Sequence, residues 1–83
     1  MSLDLNMKMD EIRQLSDEEI SALVHEAREH LMRLRFQQVT GELRDTSQFR
    51  KTKRLIARLL TVLRERELEA ERQASSQQGG REA

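Results

Sequence analysis

The side chains in this sequence that could do chemistry are a few carboxylates, two histidines and a group of arginines. The carboxylates that could serve as general acids or metal ligands are Glu18, Glu19, Glu26 and Glu29. No glycine-rich phosphate loop and no nucleophile with a neighbouring base accompanies them, so we interpret them as an exposed acidic helix face. His25 and His30 are five residues apart, on different sides of a helix, which argues against a shared metal ion. We expect no catalytic residue, metal, cofactor or small-molecule substrate.

The basic residues are concentrated in the middle of the chain. Residues 1–30 hold eight acids and three bases, a net charge of −5, and residues 67–83 hold four acids and two bases, a net charge of −2. Residues 31–66 hold ten bases and three acids, a net charge of +7, so the formal charge of the whole chain is zero. The overall charge therefore conceals a basic segment, and such segments are typical of proteins that bind polyanions.

Most of these bases share one side of a predicted helix. At about 100° per residue, the residues that fall together are Arg50, Lys53, Arg54, Ala57, Arg58, Thr61 and Arg64. Small side chains among arginines let a phosphate backbone approach closely, and a planar guanidinium can bond two phosphate oxygens. A merely solvated helix usually alternates acids with bases, and almost no acids interleave here.

These observations predict an RNA-binding face. The candidate RNA-binding residues are Arg35, Arg44, Arg50, Lys51, Lys53, Arg54, Arg58, Thr61 and Arg64. Aromatic residues make up only 2% of the chain, so we expect contacts with phosphates and RNA shape instead of stacking on single-stranded bases.

The elements that position this face are helices. Met9 to Leu15 predicts about two helical turns, and Ser16 followed by Glu19 predicts an N-terminal cap with Glu19 reaching back. Apolar residues then recur at helical spacing up to Thr40-Gly41, where glycine suits a left-handed turn. The apolar positions of this helix are Ile20, Leu23, Val24, Ala27, Leu31 and Leu34.

The second long helix follows a short connection and should run antiparallel to the first. We expect Thr46 or Ser47 to cap its start and the helix to end near Arg72. Its predicted buried stripe consists of Phe49, Ile56, Leu60 and Leu63. The expected organisation is an all-α, antiparallel two-helix hairpin with a short N-terminal helical segment: residues 1–8 are an N-terminal extension, residues 9–72 the hairpin RNA-binding domain, and residues 73–83 a disordered tail.

Composition excludes several classes of protein. There is no cysteine, which removes disulfides, thiolate metal sites and cysteine nucleophiles. No apolar run approaches the roughly 20 residues that span a bilayer, and the amino terminus lacks the pattern of a signal peptide. We expect a soluble cytoplasmic protein without a membrane partner. A core this small rarely supplies more than about 3–5 kcal/mol, so we also expect stabilisation by a partner.

The same residues carry a family resemblance over about Met9 to Glu67. The chain resembles bacterial large-subunit ribosomal protein L29 in the segments Leu34-Arg35-Phe36-Gln37, Thr40-Gly41-Glu42-Leu43, Arg54-Leu55-Ile56-Ala57-Arg58 and Thr61-Val62-Leu63. The resemblance implies a helical hairpin on ribosomal RNA beside the exit tunnel, near ribosomal protein L23 and where chaperones and targeting factors dock. It also implies a turn shaped by Gly41 and RNA contacts from Arg35, Lys53, Arg54 and Arg58.

Two other functions compete with the ribosomal one. A helical chorismate mutase can also be small, arginine-rich and free of cysteine, but it would need a third long helix that the polar tail does not provide. A homodimeric coiled-coil module would pair through exposed heptads, and sedimentation at several concentrations would detect it.

An apolar patch lies off the predicted buried face of the first long helix. With Ile20 at zero on the helical wheel, Met32, Phe36 and Val39 lie roughly 100–160° away. Either the N-terminal segment folds over them, or they are scattered surface residues, or they become buried only when RNA or a neighbouring protein docks. The docking hypothesis makes Phe36 the anchor of the patch.

Overall fold

The helices of this protein pair in an antiparallel arrangement. The computed structural model describes residues 3–42 and 45–82, with side chains through Ala74. Over that part of the chain it contains no strand and three helices: α1 Met9–Arg13, α2 Asp17–Val39 and α3 Ser47–Glu82. The start of α2 contacts the far part of α3 through Asp17 and Arg66, and the end of α2 contacts the start of α3 through Arg35 and Phe49. The predicted all-α hairpin is confirmed.

Helix α2 begins at the predicted cap. The Ser16 hydroxyl oxygen accepts a hydrogen bond from the Glu19 backbone N–H at 3.1 Å. The same hydroxyl donates to the Glu19 carboxylate at 3.2 Å, so Glu19 does reach back to the cap. One of the N–H groups that a helix start leaves without a partner is thereby satisfied.

Helix α2 ends in a glycine turn. Gly41 has φ 80°, in the left-handed region that side chains other than glycine rarely adopt. The Glu42 N–H donates to the Gln37 carbonyl at 2.8 Å and the Gly41 N–H donates to the Gln38 carbonyl at 3.2 Å. These two bonds are those of a Schellman motif, which turns the chain at the end of a helix. Gly41 therefore occupies the left-handed position after the helix end.

Helix α3 begins with help from a residue outside it. It starts at Ser47, whose backbone N–H donates to the Asp45 carboxylate at 2.9 Å. Hydrogen bonds from Ser47, and more weakly the charge of Lys51, hold the pKa of Asp45 below its usual value. The carboxylate therefore stays ionised and caps the start of the basic helix, a role that the sequence analysis assigned to Thr46 or Ser47.

The core forms along one stripe of each long helix. On α2 the buried residues are Ile20, Val24, Ala27 and Leu34, as predicted. On α3 they are Thr52, Leu55, Leu59 and Val62. The predicted stripe of α3 was therefore wrong: Leu60 is 39% exposed, and Phe49, Ile56 and Leu63 are only half-buried. The observed stripe is rotated by about 90° from the predicted one.

Thr52 explains the rotation. Its side chain is fully buried, and its hydroxyl donates to the Gln48 carbonyl at 2.7 Å. A threonine that satisfies its hydroxyl within the helix can line a core with its methyl group. Helix α1 is a second reason, because it also packs against α3 and buries Ile12 there. The buried side of α3 must therefore face both α1 and α2.

The segment before α1 is part of the same packing. Leu3, Leu5 and Met7 are half-buried and pack against the core residues. The Met7 carbonyl accepts a hydrogen bond from the Arg58 guanidinium at 3.4 Å. Residues 3–8 therefore cover the hairpin, although the sequence analysis treated them as a separate extension.

Helix α3 continues through Glu82, beyond the end predicted near Arg72. Alanine, glutamine, arginine and glutamate favour a helix, and no proline interrupts this one, whereas Gly79 and Gly80 are unfavourable in it. The side chains after Ala74 lie outside the described residues, and the disordered tail expected over residues 73–83 remains a prediction. No described helix is long and apolar enough to cross a bilayer.

Candidate nucleic-acid interface

The basic face lies on the side of α3 that points away from the core. Its residues are all exposed: Arg50, Lys53, Arg54, Ala57, Thr61 and Arg64. On a helical wheel the centre of this group lies roughly 180° from the buried stripe. The packing of the hairpin therefore presents these cations to solvent, and we call these six residues the basic face.

Helix α2 adds one cation to the basic face. The Arg35 guanidinium lies 6.0 Å from the centre of the Phe49 ring, and the Lys53 ammonium lies 4.9 Å from it. Both are within the range of a cation–π interaction. The two residues are far apart in sequence, and the Phe49 ring brings their charges together at the turn end of the hairpin.

Ion pairs occur elsewhere on the molecule. Over the part of the chain whose side chains are described, the cations in ion pairs are Arg13, Arg33, Arg66 and Arg72. No carboxylate in that part pairs with a cation of the basic face. The positive charge of this surface is therefore not neutralised by the described side chains, which favours an external polyanion.

Three candidate residues lie apart from the basic face. Arg58 is half-buried, and its guanidinium bonds to the Met7 carbonyl. Lys51 is exposed and lies beyond the edge of the face, about 60° from Arg54 but about 160° from Lys53. Arg44 lies outside the described residues.

Arg66 has a structural role that was not predicted from the sequence. Its guanidinium donates to the Asp17 carboxylate at 2.5 Å, to the Leu15 carbonyl at 2.8 Å and to the Arg13 carbonyl at 3.0 Å. These three contacts join one side chain of α3 to both the end of α1 and the start of α2, so Arg66 holds the α1–α2 connection against α3. Its position was a usable signal, because Arg66 follows Val62 in the register of the buried stripe.

The apolar patch of α2 is exposed in the folded chain. Met32, Phe36 and Val39 are 69%, 68% and 86% exposed. The N-terminal segment does not cover them, since Leu3 and Leu5 line a depression on another side of α2. Phe36 is thus not a core residue of the hairpin.

The acidic residues and histidines of α2 show no arrangement for chemistry. His25 is exposed, with its Nε2 3.1 Å from the Glu29 carboxylate. Within the described residues no cluster of three or more potential ligands could hold a metal ion. The four glutamates and His25 are exposed, whereas His30 is half-buried beside Leu3 and Leu5.

Comparisons with known proteins agree with this geometry. The family model for Ribosomal L29 protein matches residues 10–66. The large ribosomal subunit protein uL29 of Thermosipho melanesiensis is 55% identical over 62 residues, which cover 75% of this chain and 94% of that protein. The corresponding proteins of Thermotoga maritima and Persephonella marina are 52% and 50% identical over 62 residues, covering 75% of this chain and 94% and 91% of theirs.

The chain is a helical hairpin with an exposed basic face, and its relatives are named as large ribosomal subunit proteins. It is therefore a structural protein of the large ribosomal subunit. The residues that carried the resemblance lie within the matched range. The chain belongs to the ribosomal L29 protein family. Membership makes it a non-enzymatic component of the cytoplasmic ribosome and removes the mutase alternative.

Proposed function

We propose that this chain binds large-subunit ribosomal RNA through the basic face of α3, together with Arg35 of α2. The observation that carries the proposal is the exposure of a row of arginines and lysines that no described carboxylate neutralises. Neutralising phosphates with such side chains releases condensed counterions, which supplies much of the affinity of proteins for nucleic acid. The hairpin of residues 9–72 would then be the RNA-binding domain.

The remaining candidates have supporting roles in this proposal. Arg58 and Lys51 flank the basic face and contact RNA that extends beyond its edge. Arg44, in the connection before α3, would make a similar contact. Gly41 sets the direction of that connection through its positive φ.

The family resemblance supports a position on the subunit. We propose that the chain lies beside the mouth of the exit tunnel, next to ribosomal protein L23, where chaperones and targeting factors dock. The molecule is elongated, with extents of 62 × 23 × 17 Å, so its surface is large relative to its buried core. Such a surface can contact several partners at once.

Co-sedimentation tests the proposed function. We expect the tagged full-length chain, expressed in bacterial cells, to sediment with large ribosomal subunits. The purified chain should bind deproteinised large-subunit RNA with an affinity that falls steeply as salt rises, because the contacts are to phosphates. RNA binding that does not change between low and high salt would contradict a role for the basic face.

A second prediction concerns the exposed patch, which we propose is a docking surface. Replacing Phe36 by alanine should leave the helicity and melting of the free protein nearly unchanged, because the ring is 68% exposed. The same variant should enter large subunits less well in a reconstitution competition with the unaltered chain, since an anchor side chain is lost.

His25→Ala is a suitable control for this variant, because His25 is also exposed on α2 but lies outside the patch. Loss of helicity in the free Phe36 variant, or incorporation equal to that of the control, would end the docking hypothesis.

A further inference from the structure

The structure bears on which kind of RNA the basic face recognises. Phe49 is the only aromatic residue next to that face, and Lys53 and Arg35 both lie over its ring. A ring occupied by two cations is not available for a base to stack on it. Proteins that bind single-stranded RNA rely on stacking surfaces of that kind.

The cations of the basic face lie at two places along the helix. Arg50, Lys53 and Arg54 form a cluster at one end, and Arg64 lies alone at the other, about 15 Å along the axis from Arg54. Cations at two separated places suit two separated rows of phosphate. A duplex presents such rows on either side of a groove, whereas one flexible strand does not.

The exposed residues between Arg54 and Arg64 on this face have short or apolar side chains. They are Ala57, Thr61 and the partly exposed Leu60, and the half-buried Arg58 borders them. The minor groove of an A-form helix is wide and shallow and displays ribose edges and 2′-hydroxyls. Short side chains let the α3 backbone come close to such a floor, and Leu60 can pack on ribose carbons.

Thr61 has a defined hydrogen-bonding capacity at this position. Its hydroxyl donates to the Ala57 carbonyl at 2.7 Å, which uses its only hydrogen. The oxygen, which is exposed, retains an acceptor site. A ribose 2′-hydroxyl is a donor that a deoxyribose lacks.

From these observations we propose that α3 lies across the minor groove of a double-stranded RNA segment. The cations at the two places contact the phosphates of opposite strands, and Thr61 accepts a hydrogen bond from a 2′-hydroxyl. The inference rests on the proposed function and adds to it the class of RNA and the groove.

Binding of the full-length chain to three short nucleic acids of one sequence tests the proposal: a duplex RNA, the single-stranded RNA and the duplex DNA. We expect the duplex RNA to bind at least about tenfold more tightly than the single strand, because only the duplex offers both rows of phosphate. If none of the three binds at low salt, the proposed function itself fails. If the single strand binds as well as the duplex RNA, or better, RNA binding stands and the groove proposal is overturned.

Two variants probe the groove contact without changing charge. Ala57→Leu should weaken duplex RNA binding by about fivefold or more, because the longer side chain holds the helix away from the phosphates. Ala70→Leu is the matched control, since Ala70 is exposed on α3 outside the basic face. Equal affinities of these two variants would overturn the proposal.

Thr61→Val removes the acceptor but keeps the shape of the side chain. It should reduce the preference for duplex RNA over duplex DNA by about fivefold, the effect of one hydrogen bond, whereas Thr61→Ser should retain the preference. An unchanged preference in the valine variant would contradict the contact with a 2′-hydroxyl. Circular dichroism of each variant verifies that the helices are intact.

Discussion

Replacing Leu59 by alanine is expected to unfold the free protein. Leu59 is fully buried between the helices, and a buried Leu→Ala change costs about 2–5 kcal/mol. A core of this size supplies only about 3–5 kcal/mol in total, so the loss removes most of the stability. Circular dichroism at 25 °C should show most of the helical signal lost, and the cooperative thermal transition should disappear.

Leu60→Ala is the matched control, because the same substitution is made one position along the same helix. Leu60 is 39% exposed, and we expect its removal to cost under about 1 kcal/mol and to leave the melt cooperative. The opposite ranking, with the Leu60 variant unfolded and the Leu59 variant folded, would show that the stripe predicted from the sequence is the true core.

The second large effect is expected on RNA binding. The triple variant Arg50→Ala, Arg54→Ala and Arg64→Ala should lose at least about a hundredfold of its affinity for large-subunit RNA, given the strength of charge-assisted bonds to phosphate. If each arginine contacts one phosphate, the slope of log affinity against log salt should flatten by about 2.7, at about 0.9 per contact. The measurement is a filter-binding titration at several salt concentrations. Folding should be retained, because all three side chains are exposed.

A charge-matched control separates contact from overall charge. The variant Arg28→Ala, Arg33→Ala and Arg72→Ala also loses three positive charges, at exposed positions outside the basic face. Exposed charges beyond about 10 Å are largely screened at 0.1 M salt, so this control should keep nearly all of its affinity and salt slope. If both triple variants lose affinity equally, the chain binds RNA through net charge and the basic face has no special role.

The helices and both ends of α2 could be predicted from the sequence because the signals are local. Ser16 caps α2 through a bond to Glu19, three residues away, and Gly41 ends it because only glycine adopts a positive φ easily. The basic face was predicted because few acidic residues interrupt the run of arginines and lysines that begins at Arg50. These features depend on neighbours within one or two turns of the chain.

The orientation of α3 and the tasks of two arginines depended on the tertiary structure. The spacing of apolar residues was compatible with either of two neighbouring stripes on α3 as the buried one. The contacts of α3 with both α1 and α2 bury the stripe that contains Thr52 and Leu59. In the sequence, Arg58 and Arg66 cannot be distinguished from the arginines of the basic face. Their partners, the carbonyls of Met7 and Leu15, are 51 residues away in each case, and only the folded hairpin brings them within reach. Sequence determined where the helices and the positive charge lie, since both follow from local residue types. The fold decided which cations hold the hairpin together and which face solvent, since burial and long-range hydrogen bonds depend on the packing of three helices.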